Sequence, residues 1–478
     1  MNSHLQKVEL MDETEDAPKH EDDIRKLQDD VLKDREDSLN GHEDLLSDHE
    51  DILNGLDDVQ TYVKQIAWPQ YRIKHKHGAT QMRLCKRNED LVNASSNACT
   101  SVVFRRAKVW NVRWFNADEN TYYNMPFTYV KRGSSRNPPL FIGMHGGGNC
   151  PEYANQRQFV NHKHLYSNIV DGIYLVPRAP TNSWNMWFRR EVRPLFDAII
   201  CNMIVNENVD SNRVYLFGYS AGGDGAFQMV PLMADRLAAG AAMAGHPNDA
   251  NFTNLCNTPF ANYCGQSDNA YHRNTANVKV GERLCAMQRD HRNEGLYENV
   301  LSVQYPTGHW MDKRDEAAID WMASSIRNPK PKRIRWRLTH GEGATETRFF
   351  WLLFRCACGM SNNRPPTLVE GHADRQTIHV YFSGHSYRAG DSIVLLLSDG
   401  MGWDHTKPLT VCLVNRDDAS TQELEVAERK LRKSVVRKSL DLWGDPNMVY
   451  ATEVEVDLKH LFELSVQTTN SNVGNSES

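Results

Sequence analysis

The 478-residue sequence has no run of roughly 18 apolar residues, which argues against a transmembrane helix. Residues 1–15 are polar and acidic and lack the apolar core of a secretory signal. There is no C-x-x-C spacing among its ten cysteines, and the close pair Cys356 and Cys358 cannot easily chelate a metal alone. The other cysteines fall mostly in predicted strands and helices and read as small buried residues, except Cys150. These absences point to a reducing, cytoplasmic setting with no metal and no cofactor. In that setting the glycosylation-type triplets at Asn93 and Asn251 are incidental. Strong charge of either sign is also lacking: the net charge is −6 and the pI near 6.3, so the whole chain offers no argument for nucleic acid binding. The basic run 330–337 is short and reads as part of a solvated linker.

What is present begins with residues 214–223, Val-Tyr-Leu-Phe-Gly-Tyr-Ser-Ala-Gly-Gly. An apolar strand-like run ends in Gly-x-Ser-x-Gly, and a helix-compatible segment follows. A serine at the apex of so sharp a turn is held in strained backbone geometry, which needs small residues two positions before and after it. The pentapeptide arises by chance in about one chain in ten of this length, so its surroundings decide its meaning.

Upstream, Pro138 to Gly148 reads as a buried strand running into His145-Gly-Gly-Gly148. Glycines let main-chain N–H groups approach a carbonyl on which negative charge develops. The candidate oxyanion donors are therefore Gly146 or Gly147 together with Ala221, the residue after the serine. Downstream, two further strand-like runs, 259–265 and 299–305, each lead into a loop. The first loop carries Asp268 and the second His309. Sites in open parallel sheets collect at these carboxyl ends, and Ser220…Asp268…His309 is the chain order of an α/β-hydrolase triad. Asp224 and Asp249 are possible substitutes for the acid, and Asp224 also reads as a helix-start charge.

With these residues in view, the chain resembles the α/β-hydrolase superfamily over roughly residues 100–328. Within it the likeness is to the esterase branch related to polyhydroxybutyrate depolymerases and feruloyl esterases, and more closely to a poorly characterised group of predicted hydrolases. It is carried by Met144-His-Gly-Gly-Gly148, the segments 177–187 and 243–250, Gly218-Tyr-Ser-Ala-Gly-Gly-Asp-Gly225, Gly308-His-Trp310 and Trp321-Met-Ala323. The resemblance implies carboxylic-ester hydrolysis through an acyl-enzyme on a small-molecule or polymeric ester, without naming the substrate. Two segments suggest substrate contacts. Asn182, Trp184 and Trp187 lie in a loop expected to overhang the serine, where core packing of the two tryptophans is an equal alternative. His246 follows a small-residue strand at the same edge of the sheet and is expected to contact substrate or support the base.

Four segments are expected. Residues 1–68 are acidic, with fifteen Asp/Glu against four Lys/Arg between Glu21 and Gln60. Apolar residues recur there every seven positions at Ile24, Val31, Leu45, Ile52, Val59 and Ile66, with only Ser38 interrupting the row. This predicts either a helix burying a seam against a partner, with self-association through residues 21–66, or a partly helical acidic tail. Trp68-Pro69 is expected to end it. Residues 69–328 form the α/β-hydrolase domain with a mostly parallel sheet. Residues 329–468, after Pro329 and Pro331, form a small antiparallel β-sandwich-like domain. Within it Phe349–Phe354 supplies a first strand or packs on the hydrolase, and 421–438 is a helix or long loop. Residues 469–478 are expected to be disordered. A binding or scaffold protein on a hydrolase body and a serine peptidase are the alternatives to an esterase.

Overall fold

The computed structural model describes residues 51–77, 82–84, 108–116, 119–338, 346–356, 367–384, 390–427 and 430–458. Its main sheet has nine described strands: β1 (Met82–Leu84), β2 (Trp110–Asn116), β3 (Thr121–Arg132), β4 (Leu140–Met144), β5 (Gly172–Pro177), β6 (Val214–Tyr219), β7 (Ala239–Met243), β8 (Phe260–Gly265) and β9 (Val300–Tyr305). Their order is β9-β8-β7-β6-β4-β5-β3-β2-β1. The pairs from β9 to β5 are parallel, and β5–β3, β3–β2 and β2–β1 are antiparallel.

The central strands are buried on both faces, and for that reason they read as continuous apolar runs. Alternate residues divide between two cores. Leu140, Ile142 and Met144 join Leu195, Phe196 and Ile199 of α4 (Val192–Glu207) and Phe227 of α5 (Ala221–Leu232). Phe141, Tyr215 and Phe217 join Phe159 of α3 (Glu152–His162) and Ile319 and Met322 of α7 (Ala317–Ala323). Helix α6 (Arg273–Asp290) covers β8 and β9.

Among its described residues the C-terminal part contains two larger sheets. One has the order β10-β13-β14-β16-β17, formed by Arg333–Arg337, Leu368–Asp374, Thr377–Ser383, Leu409–Asn415 and Thr421–Val426. The other, β11-β12-β15-β18, is formed by Glu346–Phe349, Leu352–Arg355, Ser392–Leu397 and Thr452–Asp457. Both feed one apolar cluster. β14 and β16 run parallel, against the antiparallel expectation, because the chain crosses to the other sheet as β15 between them. The basic run is not a solvated linker: Ile334 and Trp336 of β10 are buried, and Arg335 pairs with Glu370. Phe349–Phe354 forms a hairpin in which Phe350 adopts φ +49° and Trp351 is buried, its indole N–H on the Pro331 carbonyl at 2.8 Å. The stretch 421–438 divides into strand β17, whose exposure alternates with period two, and the start of helix α8 (Lys433–Trp443).

Near the N-terminus, α1 (Leu56–Tyr62) passes through a π-helical turn, Val63–Ala67, into α2 (Trp68–His77). Pro69 therefore does not end the helix. It sits at the start of α2, and the wider π turn immediately before it is the kind of local adjustment that accommodates a proline. Of the seven-residue row, Val59 packs on the C-terminal apolar cluster, while Ile66 is 44% exposed. Residues 21–50 of the predicted seam, and the tail 469–478, lie outside the described residues.

The described residues from 53 to 458 form one unit. A buried charged cluster joins the main-sheet part to the C-terminal part. Asp445 accepts from Arg327 Nη2 at 2.6 Å and from the Ser211 hydroxyl at 2.6 Å, and Arg236 lies between Asp445 and Asp197 at 3.6 and 3.2 Å.

Candidate active site

At the end of β6, Ser220 adopts φ +58° and ψ −123°, a conformation that costs on the order of 1–3 kcal/mol and is kept only where its surroundings enforce it. Two backbone bonds do so: Ser220 N–H to the Met243 carbonyl (2.9 Å) and Asp224 N–H to the Ser220 carbonyl (3.0 Å). The turn also needs glycine on both sides. A Cβ on Gly218 would lie 2.1 Å from the Gly222 carbonyl oxygen, and one on Gly222 would lie 2.0 Å from that of Met144.

The loops after β8 and β9 are tied side by side. Gln266 N–H reaches the Tyr305 carbonyl (2.8 Å) and Ser267 N–H the Thr307 carbonyl (2.9 Å). This pairing brings together residues 41 positions apart in sequence. His309 Nδ1 lies 2.7 Å from Asp268 Oδ2, and His309 Nε2 lies 3.0 Å from Ser220 Oγ. The Asp268 side chain is 1% exposed and that of His309 is 40% exposed, so the carboxylate is shielded while the imidazole reaches solvent. Tyr219 donates its hydroxyl proton to the His309 carbonyl and lays its ring 5.8 Å from the imidazole.

The glycine loop passes directly over the serine: a Cβ on Gly146 would lie 3.1 Å from Ser220 Cβ. His145 is fully buried, and burial holds its imidazole well below the usual range, so the ring is neutral. Its Nε2 accepts the Ala179 N–H (3.2 Å), which leaves the proton on Nδ1 to be donated to the Gly146 carbonyl (2.6 Å). Because a trans peptide sets C=O and N–H on opposite sides, the Gly147 N–H is turned away from His145. Ala221 is the first residue of α5, where backbone N–H groups have no intrahelical acceptor.

No sequence motif marks what anchors this loop. Asn155, buried in α3, accepts the Gly148 N–H (2.8 Å) and donates to Asn182 Oδ1 (3.0 Å). Arg178 also donates to Asn182 Oδ1, and the Asn182 carbonyl accepts the Asn149 N–H at 2.8 Å. Asn182 thus acts within the loop framework; its amide oxygen is already occupied there. Trp187 takes the core-packing alternative: it has no exposed surface, and its indole N–H is on the His145 carbonyl (2.8 Å), so it supports the glycine loop from the core. Trp184 is 58% exposed on the same loop, edge-on to Phe188. His246 Nδ1 is turned to Asn248, accepting its N–H at 3.0 Å, while the ring nitrogen beside the serine is that of His309. Asp224 accepts the His246 N–H (2.6 Å), with burial raising its carboxyl pKa, so it ties α5 to the loop after β7. Among the described residues no cluster of His, Cys, Asp or Glu is arranged to hold a metal, and no helix is long and apolar enough to cross a membrane.

No protein-family model matches the chain. Among curated proteins, it is similar to a bifunctional acetylxylan esterase/xylanase of Neocallimastix patriciarum, at 28% identity over 122 residues. That match covers 25% of this chain and 17% of that protein, so the chain spans under a fifth of its length. Among solved structures, it is similar to a thermostable esterase (19% identity, 45% of this chain and 62% of that one, TM-score 0.32). It is also similar to the feruloyl esterase module of Clostridium thermocellum complexed with sinapinate (12% identity, 51% and 93%, TM-score 0.31). The loops after β4, β6, β8 and β9 thus come together at one edge of the sheet, with Gly146 and His309 beside Ser220 and Asp268 behind the imidazole.

Proposed function

We propose that the protein is a serine esterase acting on carboxylic esters. Ser220 Oγ attacks the ester carbonyl as His309 Nε2 takes its proton. The N–H groups of Ala221 and of Gly146 or Gly147 stabilise the oxyanion. Asp268 holds the tautomer in which Nδ1 carries the proton, and it stabilises the imidazolium that forms. Collapse of the tetrahedral intermediate moves that proton to the departing alcohol and leaves Ser220 acylated. Water, deprotonated by His309, then attacks the acyl-enzyme, and the acid leaves as the serine recovers its proton. The observation that carries this reading is the unbroken contact from Ser220 Oγ through His309 to Asp268, with the serine on a strained turn beneath a glycine loop.

The finer assignment, to the polyhydroxybutyrate depolymerase and feruloyl esterase branch, rests on the sequence resemblance, and the curated match makes acetyl esters the first to try. The test is hydrolysis of a short-to-medium p-nitrophenyl ester series by the wild type and Ser220→Ala. Turnover in the wild type alone, with circular dichroism unchanged in the variant, is the expected result. Equal rates in both proteins would remove Ser220 as nucleophile.

A further inference from the structure

Asp268 does not serve His309 alone. Arg273, at the start of α6, donates Nε–H to Asp268 Oδ2 at 2.9 Å, the same oxygen that His309 Nδ1 meets at 2.7 Å. The Arg273 side chain is 11% exposed against 1% for the acid, so this charge pair is largely sheltered from solvent. The contact is built in by the chain around it. Tyr271 and His272, immediately before Arg273, both take left-handed backbone angles (φ +56° and +57°), which non-glycine residues seldom adopt. Asn274 then folds the loop back, its N–H on the Asp268 carbonyl (3.0 Å) and its amide on the Gln266 carbonyl (3.1 Å). Buried Asn277 clamps the Arg273 carbonyl and that of Gly245, both at 2.8 Å. The Tyr271 ring lies 5.3 Å from the guanidinium.

We propose that Arg273 is a positioning residue that orients the Asp268 carboxylate and, by sharing its charge, keeps His309 unprotonated to lower pH than an Asp–His pair alone would allow. This rests on the esterase reading of Ser220, Asp268 and His309. A carboxylate facing imidazole alone favours the imidazolium, whereas a fixed guanidinium on the same oxygen opposes it. Since the base must be neutral to accept the serine proton, the pairing extends activity toward acid. The other groups facing this cluster are Tyr219 from β6, Cys264 from β8, and Asp224 and His246 from α5 and the loop after β7, with Asp315 beyond Tyr219.

The experiment compares wild type, Arg273→Gln, Arg273→Met and Arg273→Lys, each checked for fold by circular dichroism. The readouts are the pH profile of p-nitrophenyl acetate kcat/KM and the titration of the His309 ring by nitrogen-15 NMR, assigned by its loss in His309→Gln. In Gln and Met variants, the acid limb and the NMR midpoint are expected to rise together by about one pH unit. Lys, which keeps the charge, stays near wild type in midpoint while losing turnover. An unmoved midpoint in a folded Gln or Met variant overturns the proposal, even if kcat falls, since a purely structural role would lower kcat without moving the limb. The NMR titration needs no turnover. If the wild type cleaves no ester yet the midpoint rises, the Arg273 inference stands while the esterase reading fails.

Discussion

Replacing Asn155 with alanine isolates the part of the site that sequence motifs do not mark. The side chain is fully buried and makes two bonds in the glycine-loop framework, to Gly148 N–H at 2.8 Å and Asn182 Oδ1 at 3.0 Å. Truncation removes both. Asn182 Oδ1 keeps its bond from Arg178, and Gly148 is only partly buried, so water can reach its N–H. The stability cost is therefore about 1–3 kcal/mol rather than more. The effect on turnover is expected to be larger in proportion. Complete loss of an oxyanion donor costs about 10²–10³ in kcat, and a loosened loop forfeits part of that, so kcat on p-nitrophenyl acetate should fall by about 10- to 100-fold with little change in KM. Asn155→Asp keeps an acceptor for Gly148 N–H and should retain more activity than alanine. The assay is steady-state hydrolysis beside a thermal melt. An alanine variant with kcat within about two-fold of wild type would refute the argument that this amide holds the glycine loop in a working position.

Two further outcomes follow from the geometry. Asp445→Asn leaves Arg327 buried without its counter-charge and Arg236 with Asp197 alone, and should destabilise the protein by about 3–5 kcal/mol, measured by denaturant unfolding. In the wild type, burial would raise the Asp445 carboxyl, but Arg327, Arg236 and the Ser211 hydroxyl outweigh it and hold its pKa below the usual range. Its contribution is thus present above the ordinary carboxylate pKa of about 4 and lost as pH falls through the lower folded value, so the variant's deficit should shrink below about pH 4. Trp184→Ala, on an exposed ring, should raise KM for larger esters with the melting temperature unchanged. Trp187→Ala, in the core, should cost about 3–5 kcal/mol of stability instead.

The sequence by itself determined the elements with local signatures. Continuous apolar runs mark strands buried on both faces, as in β4 and β6, and the glycines around Ser220 mark a turn where no Cβ fits. Asp268 and His309 were legible because each follows a strand of the same parallel sheet, whose carboxyl ends lie on one edge. Elsewhere the pattern misled. The basic residues of β10 hid a strand because the buried Ile334 and Trp336 alternate with arginines, and Pro69 signalled an end that a π turn absorbs.

Tertiary structure alone decided how the glycine loop is held and how the acid is shared. Asn155 and Asn182 are 27 positions apart, and no local rule couples two such amides. Trp184 and Trp187 stand three residues apart in one loop, yet one faces solvent and the other fills the core. Composition cannot separate them, because burial depends on where the loop lands against β4 and α4. Arg273 likewise reads as an ordinary helix-start residue until the left-handed turn before it carries the guanidinium back onto Asp268. Backbone periodicity is a local property written in residue order, whereas the partner of a buried polar group is set by chain segments that meet only when the sheet has closed.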